Sequence, residues 1–225
     1  MTLWIDRVIN MFKWPCALFL ISALPFLLQT LPDIISKTLS KEFVPFWGGL
    51  FGYIFFWKMI FRHSGSFLPT LAHESTHAVF ALCTGHRVVD FQVRWSSGGH
   101  VSYVGGKGNW LITISPYFFP LVLLLTIPTV LTWMEESAVR SAVLGAIFSF
   151  ELVSAWRQIH PKQLDLIKVG WFFCFLFLPP ALLTVYGSVL YFLISDVSTV
   201  LTWYQDGARS VFLVWSEVID GHNSY

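Results

Sequence analysis

Long apolar stretches separated by short polar connections occupy most of this chain. A helix that crosses a bilayer needs about 20 predominantly apolar residues. Six stretches meet or approach that requirement: residues 14–31, 46–61, 66–84, 110–134, 137–159 and 164–194. The pattern predicts an all-α polytopic membrane protein with about six transmembrane helices.

Two of these stretches, and the tail of the chain, need separate interpretation. Residues 14–31 have the apolar character of a secretory signal peptide, but no small-residue cleavage pattern follows them, so we interpret them as a span. Residues 164–194 are too long for one straight span, and we expect the pair Pro179-Pro180 to kink or divide them. Residues 195–225 mix apolar and charged side chains, which is typical either of an interfacial helix or of a shorter final span.

A different periodicity appears between the third and fourth predicted spans. Residues 89–95 alternate between apolar and polar side chains, and residues 100–104 alternate again. The Ser-Ser-Gly-Gly sequence at residues 96–99 lies between them and is a turn signal. Period-two alternation on both sides of a glycine turn predicts one small β-hairpin over residues 88–104.

The chain contains no internal repeat and no long polar segment typical of an added soluble domain. We therefore expect a single membrane domain over residues 1–225. Residues 1–65 would hold the N-terminal spans, residues 66–194 the core with the hairpin, and residues 195–225 the tail.

Composition agrees with a membrane location. Apolar residues make up 55% of the chain and charged residues 12%, which is about half of the roughly 25% that soluble domains carry. Such a chain is neither disordered nor an ordinary soluble domain, because it has too few charges to cover a hydrated surface. Lysine and arginine number 14 against 13 acidic residues, so there is no basic excess for a nucleic acid partner. We expect the lipid bilayer to be its main surroundings.

The third predicted span carries a dense group of polar residues. Residues 73–77 read His-Glu-Ser-Thr-His, and residues four apart lie on one face of a helix. His73 and His77 can therefore bind one Zn²⁺, with Glu74 beside them as general base toward a water molecule. The pattern also occurs by chance on solvated helices, but the apolar residues 78–82 that follow favour a zinc site.

A catalytic zinc ion usually has three protein ligands, so a third must come from elsewhere in the chain. The side chains that could supply it are Asp165, His160, Glu151, His86, His100 and His63. Asp165 begins the last long apolar stretch, where it also suits the first turn of a helix. Glu151 lies inside the fifth predicted span, where a buried carboxylate should be protonated, paired or bonded to a histidine ligand. Spacing alone leaves the choice between Asp165 and Glu151 open.

Several segments around the motif resemble one known family. The motif helix continues into Leu-Cys-Thr-Gly-His-Arg-Val at residues 82–88, followed by Ser-Gly-Gly-His-Val-Ser at 97–102 and Ile-Ser-Pro-Tyr at 114–117. Together they resemble the site-2 protease family of intramembrane zinc metalloproteases, in its compact branch without a PDZ domain. The resemblance covers residues 67–185.

The resemblance implies a role for each motif residue. It implies that His73, His77 and Asp165 bind zinc and that Glu74 is the catalytic base. Many members carry the third aspartate as Asp-Gly after an Asn-x-x-Pro-x-Pro pattern, whereas Leu166 follows Asp165 here and the pattern is absent. The family's oxyanion-stabilising asparagine thus has no direct counterpart, and Gln163 or Gln158 are the candidates. We assign Glu151 and Gln163 as residues that support the site.

Peptide hydrolysis requires an extended substrate, because a helix hides its carbonyl groups. An edge of the predicted hairpin can pair with an unwound substrate segment by β-augmentation. The side chains that we assign to substrate binding are Phe91, Val93, His100, Val101 and Tyr103. The alternative is a hairpin that only shields the site or anchors its aromatic side chains at the membrane interface.

We therefore expect an intramembrane zinc metalloendopeptidase that hydrolyses membrane-anchored proteins. Its expected location is a bacterial cytoplasmic membrane, as an integral multi-pass protein. One alternative is a non-catalytic membrane assembly subunit that keeps zinc for structure, with all four coordination positions filled by protein. Another is a transporter-like protein whose polar residues line a pathway.

Overall fold

The computed structural model describes residues 2–61, 67–95 and 98–222, and it is mostly helical. Over these residues the chain forms ten α-helices, a short π-helix (Trp57–Phe61), a 3-10 turn (Ser115–Tyr117) and two β-strands. The α-helices are α1 (Thr2–Met11), α2 (Lys13–Thr38), α3 (Val44–Phe56), α4 (Phe67–Cys83), α5 (Trp110–Ile114), α6 (Leu121–Trp133), α7 (Ala138–Gln158), α8 (Leu164–Val169), α9 (Trp171–Ile194) and α10 (Val197–His222).

The described residues form two compact units. The first contains the chain up to Lys13 together with Lys41–Trp171, and therefore α1, α3 to α8 and both strands. The second contains Trp14–Ser40 and the chain from Phe172 onward, and therefore most of α2, most of α9 and all of α10. The helix that carries the His-Glu-Ser-Thr-His sequence belongs to the same unit as the hairpin.

The second unit is built around the indole ring of Trp203. Trp203 is buried with Leu27, Ile34 and Tyr191 in one apolar cluster. Its ring nitrogen donates a hydrogen bond to the Thr30 hydroxyl at 3.1 Å, so the polar end of this large side chain is satisfied within the apolar core.

The hairpin predicted over residues 88–104 is confirmed. β1 (Arg87–Arg94) pairs antiparallel with β2 (Gly98–Val104), and a register shift between Val88 and Asp90 marks a bulge. Two of the predicted turn residues, 96–97, lie outside the described part of the chain. Both strands pack on α4, which places the hairpin directly beside the motif helix.

Helices α3 and α7 approach each other so closely that two glycines are required. A Cβ atom on Gly49 would lie 1.8 Å from the Ala142 carbonyl oxygen, and one on Gly145 would lie 1.9 Å from the Phe46 carbonyl oxygen. Small residues allow such backbone contact between helices in a membrane, where packing rather than water exclusion drives association. This reciprocal pair fixes α7 against α3.

The predicted number of six spans is not confirmed. Within the described residues, α2, α7 and α9 are long and apolar enough to cross a membrane. The pair Trp110–Tyr117 and Leu121–Trp133, bent by 59°, would make a fourth if counted as one span. The second and third predicted spans correspond to α3, with 13 residues, and α4, with 17 residues. α3 continues directly into the π-helix Trp57–Phe61, and neither this stretch nor α4 is among the candidate spans of the described residues.

The long apolar stretch 164–194 divides at a glycine rather than at its proline pair. Gly170 has φ of 103° and ends α8, a backbone conformation that favours glycine. Pro179 and Pro180 lie inside the continuous helix α9, so the expectation that they divide the stretch is wrong. The tail forms the 26-residue helix α10, which is not among the candidate spans of the described residues.

Replacing Gly49 tests the close approach of α3 and α7. We expect Gly49→Ala to destabilise the protein by about 1–3 kcal/mol, because the added methyl group overpacks the interface. Thermal unfolding in detergent would measure the change. Gly48→Ala is the matched control, since a Cβ atom there has no neighbour within 4 Å. A Gly49→Ala protein as stable as the Gly48→Ala protein would contradict this packing.

Candidate metal centre

Helix α4 places two imidazole rings side by side. His73 and His77 are one turn apart, and their Nε2 atoms lie 3.1 Å from each other. The rings meet nearly perpendicular, with centroids 4.6 Å apart. Two ring nitrogens therefore face one point in space.

Helix α8 brings a carboxylate to the same point. Asp165 Oδ2 lies 3.5 Å from His73 Nε2 and 3.4 Å from His77 Nε2. Among the described residues, these three side chains form the group of ligand atoms that could hold a metal ion. The structure thus brings Asp165 to the two histidines, and the motif helix and α8 are the elements that position them.

The separations between the three donor atoms fit a tetrahedral zinc site. Zinc bonds of 2.0–2.1 Å at tetrahedral angles place neighbouring donors about 3.3–3.4 Å apart. The observed separations of 3.1, 3.4 and 3.5 Å bracket that value. Two nitrogens and one oxygen are also a ligand set typical of catalytic zinc.

Hydrogen bonds orient two of the three candidate ligands. His77 Nδ1 lies 2.7 Å from the Ile112 carbonyl oxygen, which can only accept, so Nδ1 carries the proton. A neutral His77 therefore directs the lone pair of Nε2 toward the centre. Ile112 belongs to α5, so this short helix fixes the orientation of the His77 ring on the motif helix.

Tyr117 contacts the other two candidate ligands. Its hydroxyl group donates a hydrogen bond to Asp165 Oδ2 at 3.1 Å, and its ring meets the His73 ring edge to face at 5.2 Å. The side chain is fully buried. Sequence reasoning did not identify Tyr117 as a site residue, although the Ile-Ser-Pro-Tyr sequence at 114–117 pointed to its segment.

The charge state of Asp165 suits a ligand. Burial raises the pKa of its carboxyl group, but the His73 and His77 rings, when protonated on Nε2, donate hydrogen bonds and place positive charge beside it, which outweighs burial and holds the pKa below its usual range. Asp165 lies in α8, outside the candidate spans. The carboxylate form therefore prevails at neutral pH.

The three candidate ligands open onto a cavity of about 510 Å³. Glu74, Gln163, Lys162 and Lys168 line it, together with Gly99, His100, Val101 and Tyr103 of β2. Residues of the motif helix, of β2 and of α8 thus all contribute to the lining of this cavity.

Glu74 is in close contact with the hairpin. A Cβ atom on Gly99 would lie 2.7 Å from Glu74 Cγ and 2.7 Å from the Gln92 carbonyl oxygen. Only glycine fits at this position, so the β2 backbone lies directly against the glutamate side chain. The buried Glu74 is held between its own helix and the strand.

The residues assigned to substrate binding fall into two groups. His100, Val101 and Tyr103 of β2 line the cavity, whereas Phe91 and Val93 of β1 do not. Burial, with the negative charges of Asp6 and Asp165, raises the pKa of the Tyr103 hydroxyl group. This hydroxyl group therefore remains protonated at neutral pH and can donate a hydrogen bond.

The other candidates for the third ligand that the structure describes are not in the ligand group and have other partners. Glu151 accepts hydrogen bonds from the backbone N–H groups of Val122 and Leu123 at 2.6 and 3.3 Å, so it caps the start of α6. His100 pairs with Asp90 at 3.0 Å. His160 Nδ1 accepts a hydrogen bond from the backbone of Lys162, and His63 lies outside the described residues.

His86 belongs to a buried polar network at the end of α4. Its Nε2 atom lies 3.2 Å from Asp6 Oδ2, and its Nδ1 atom lies 3.0 Å from the Thr84 hydroxyl oxygen. Asp6 also accepts hydrogen bonds from the Gly108 backbone and the Asn109 side chain. The network ties α1 to the segment that leads from the hairpin into α5.

Removing the Tyr117 hydroxyl group tests its support of Asp165. We expect Tyr117→Phe to weaken zinc binding about 10–100-fold, the usual cost of losing a hydrogen bond to a metal ligand. Competition with a chelator would measure the affinity. Tyr204→Phe is the control, because it also loses a hydroxyl hydrogen bond, to Ser188, outside the candidate centre. Equal zinc affinity in the two variants would exclude this role for Tyr117.

Comparisons with known proteins place the chain in a family. No curated protein and no solved structure matches it. The sequence pattern described as Peptidase M50B-like matches residues 47–211, well over half of the chain. This stretch includes α4, the hairpin, α5 and α8, and thus every candidate ligand. The chain therefore belongs to the Peptidase M50B-like family, which is the site-2 protease family of membrane metallopeptidases.

Proposed function

We propose that this protein is an intramembrane zinc endopeptidase that hydrolyses peptide bonds of membrane-anchored proteins. The convergence of His73, His77 and Asp165 beside Glu74, at the wall of one cavity, carries the proposal. Membership of a metallopeptidase family supports it. We further propose that the protein is a multi-pass protein of a bacterial cytoplasmic membrane.

In this proposal His73, His77 and Asp165 hold zinc, which supplies Lewis-acid chemistry to the peptide carbonyl and to water. Glu74 then acts as the proton carrier. Its carboxylate takes a proton from the attacking water molecule and passes it to the leaving amine, so that one C–N bond breaks as one C–O bond forms. The contact with Gly99 holds the Glu74 side chain at the cavity wall.

The hairpin supplies the surface that binds the extended substrate. β1 pairs with β2 along one edge, and the other edge of β2 has no strand paired to it among the described residues. Residues 99–101 and Tyr103 of β2 line the cavity. A substrate segment that unwinds there can pair with the β2 backbone by β-augmentation, which exposes its carbonyl groups to Glu74 and the zinc ligands.

Gln163 is our candidate for stabilising the oxyanion that develops on the substrate carbonyl. It precedes α8, two residues before Asp165, and lines the same cavity. A side-chain amide can donate a hydrogen bond to such an oxygen. Gln158 does not line this cavity; it lines a second cavity, of about 390 Å³, which His73, Glu74 and Gln163 also line.

The number of candidate ligands favours catalysis over a structural zinc site. A structural site fills all four positions with protein ligands, whereas a catalytic site keeps one position for water or substrate. The candidate group in the described part of the chain has three members. Glu151 accepts hydrogen bonds from backbone N–H groups at the start of α6. His160 lines a cavity that His73 and Glu74 also line, but it is not a member of the candidate ligand group.

Replacing the proposed base separates catalysis from metal binding. We expect Glu74→Gln to retain zinc and to lose peptide cleavage by about 10²–10⁴-fold, because the amide cannot accept the proton from water. Zinc content and fragments of membrane proteins in cells would be measured together. Glu42→Gln, at an exposed position, is the control. Undiminished cleavage by the Glu74→Gln protein would overturn the proposed function.

Replacing Asp165 tests the third ligand. We expect Asp165→Ala to lower the zinc content of the purified protein, because two imidazoles alone leave the site incomplete. His160→Ala is the control, since this histidine was an alternative ligand but is not a member of the candidate ligand group. Unchanged zinc stoichiometry and affinity in Asp165→Ala would move the assignment to another residue.

A further inference from the structure

A third, smaller cavity shares two lining residues, Thr113 and Lys168, with the cavity at the candidate metal centre. Its volume is about 180 Å³. Three lysines line it: Lys13 at the start of α2, Lys107 in the connection after β2, and Lys168 in α8. Three lysines from separate segments of the first unit thus line one cavity.

No acidic side chain among the described residues lines this cavity. The carboxylate of Asp6 lies next to the cavity, because it accepts hydrogen bonds from two lining residues, from the Gly108 backbone and from the Asn109 side chain. It also pairs with His86 at 3.2 Å. Asp6 keeps its single negative charge near the cavity, and the three lysines exceed it, so the surroundings of the cavity carry a net positive charge that favours an anion.

The cavity lies at chain positions expected at the membrane surface. Lys13 begins one candidate span, Trp110 begins the bent pair, and Lys168 comes three residues before the span Trp171–Ile194. Ends of spanning helices lie at the level of lipid headgroups, where tryptophan is enriched. The phosphate groups of lipids occupy that same level.

We propose that the cavity lined by Lys13, Lys107 and Lys168 binds a phosphate group. The ligand would be either the headgroup phosphate of an anionic lipid or free inorganic phosphate. An ammonium group offers up to three hydrogen-bond donors to phosphate oxygens. A headgroup that carries its own cation, such as choline, binds less well because the lysines repel it.

Occupancy of the cavity is coupled to the candidate metal centre through α8. Lys13 Nζ donates a hydrogen bond of 2.6 Å to the Val169 carbonyl oxygen at the end of this helix. Lys168, one turn from Asp165, lines both cavities. A bound phosphate group would hold Lys13 and Lys168 together and so fix the helix that carries Asp165.

Lipid binding by the full-length protein tests the proposal. The protein would be placed in phosphatidylcholine nanodiscs and titrated with phosphatidylglycerol, and bound lipid would be counted by native mass spectrometry. A basic residue near an anionic surface strengthens binding about fivefold. We therefore expect the double substitution Lys107→Gln with Lys168→Gln to weaken phosphatidylglycerol binding about 25-fold.

The control carries the same loss of charge at other exposed lysines, Lys41→Gln with Lys58→Gln, which do not line the cavity. We expect this protein to bind phosphatidylglycerol within twofold of the unmodified chain. Equal loss in both double variants, or no loss in either, would overturn the proposal. The single variant Lys107→Gln, in an exposed connection, repeats the test with the least structural change.

A second arm distinguishes the two sources of phosphate. Equilibrium dialysis of radioactive inorganic phosphate against the protein in pure phosphatidylcholine nanodiscs measures free phosphate directly. Binding that depends on Lys107 and Lys168 identifies free phosphate as the ligand, whereas lysine-dependent binding of phosphatidylglycerol alone identifies the lipid. Absence of both overturns the proposal. The Asp165→Ala protein should bind the same ligand, which separates this result from any failure of the proposed protease function.

Discussion

The first unit depends on the convergence of three ligand atoms at one point. Two imidazole nitrogens and a carboxylate oxygen lie 3.1–3.5 Å apart, and lone pairs held that close repel one another unless a cation lies between them. The neighbouring residues hold this arrangement. Ile112 fixes the His77 ring and Tyr117 binds Asp165, so two elements outside the motif helix determine where the lone pairs point.

Interruptions in the helices place these supporting residues at the centre. The short helices α5 and α8 and the 3-10 turn at Ser115–Tyr117 bring Ile112, Tyr117 and Asp165 to the motif helix, where continuous spans would carry them past it. Each interruption has a local cause, such as the positive φ of Gly170 or the capping of α6 by Glu151. Backbone groups freed within a membrane must find partners, and here a buried carboxylate provides them.

The hairpin connects the candidate centre to the rest of the first unit. At one end Gly99 brings β2 against Glu74, and at the other the His86–Asp6 network joins the segment after β2 to α1. The lysine-lined cavity shares Gly108 and Asn109 with that network and is also lined by Lys168 and Val169 of α8. A substrate strand on β2 and a phosphate group among the lysines would therefore occupy two cavities that share Thr113 and Lys168.

Some features follow from the sequence alone because they depend on near neighbours. The spacing of His73 and His77 places both rings on one helix face, and the alternation around a glycine turn specifies the hairpin. Contacts between distant segments decided the rest. Spacing could not choose between Asp165 and Glu151, and nothing in the local pattern marked Tyr117, since each is placed by a partner on another element. The number of spans likewise depended on where α3, α4 and α8 end, because apolar composition does not show whether a helix continues through a glycine or stops there.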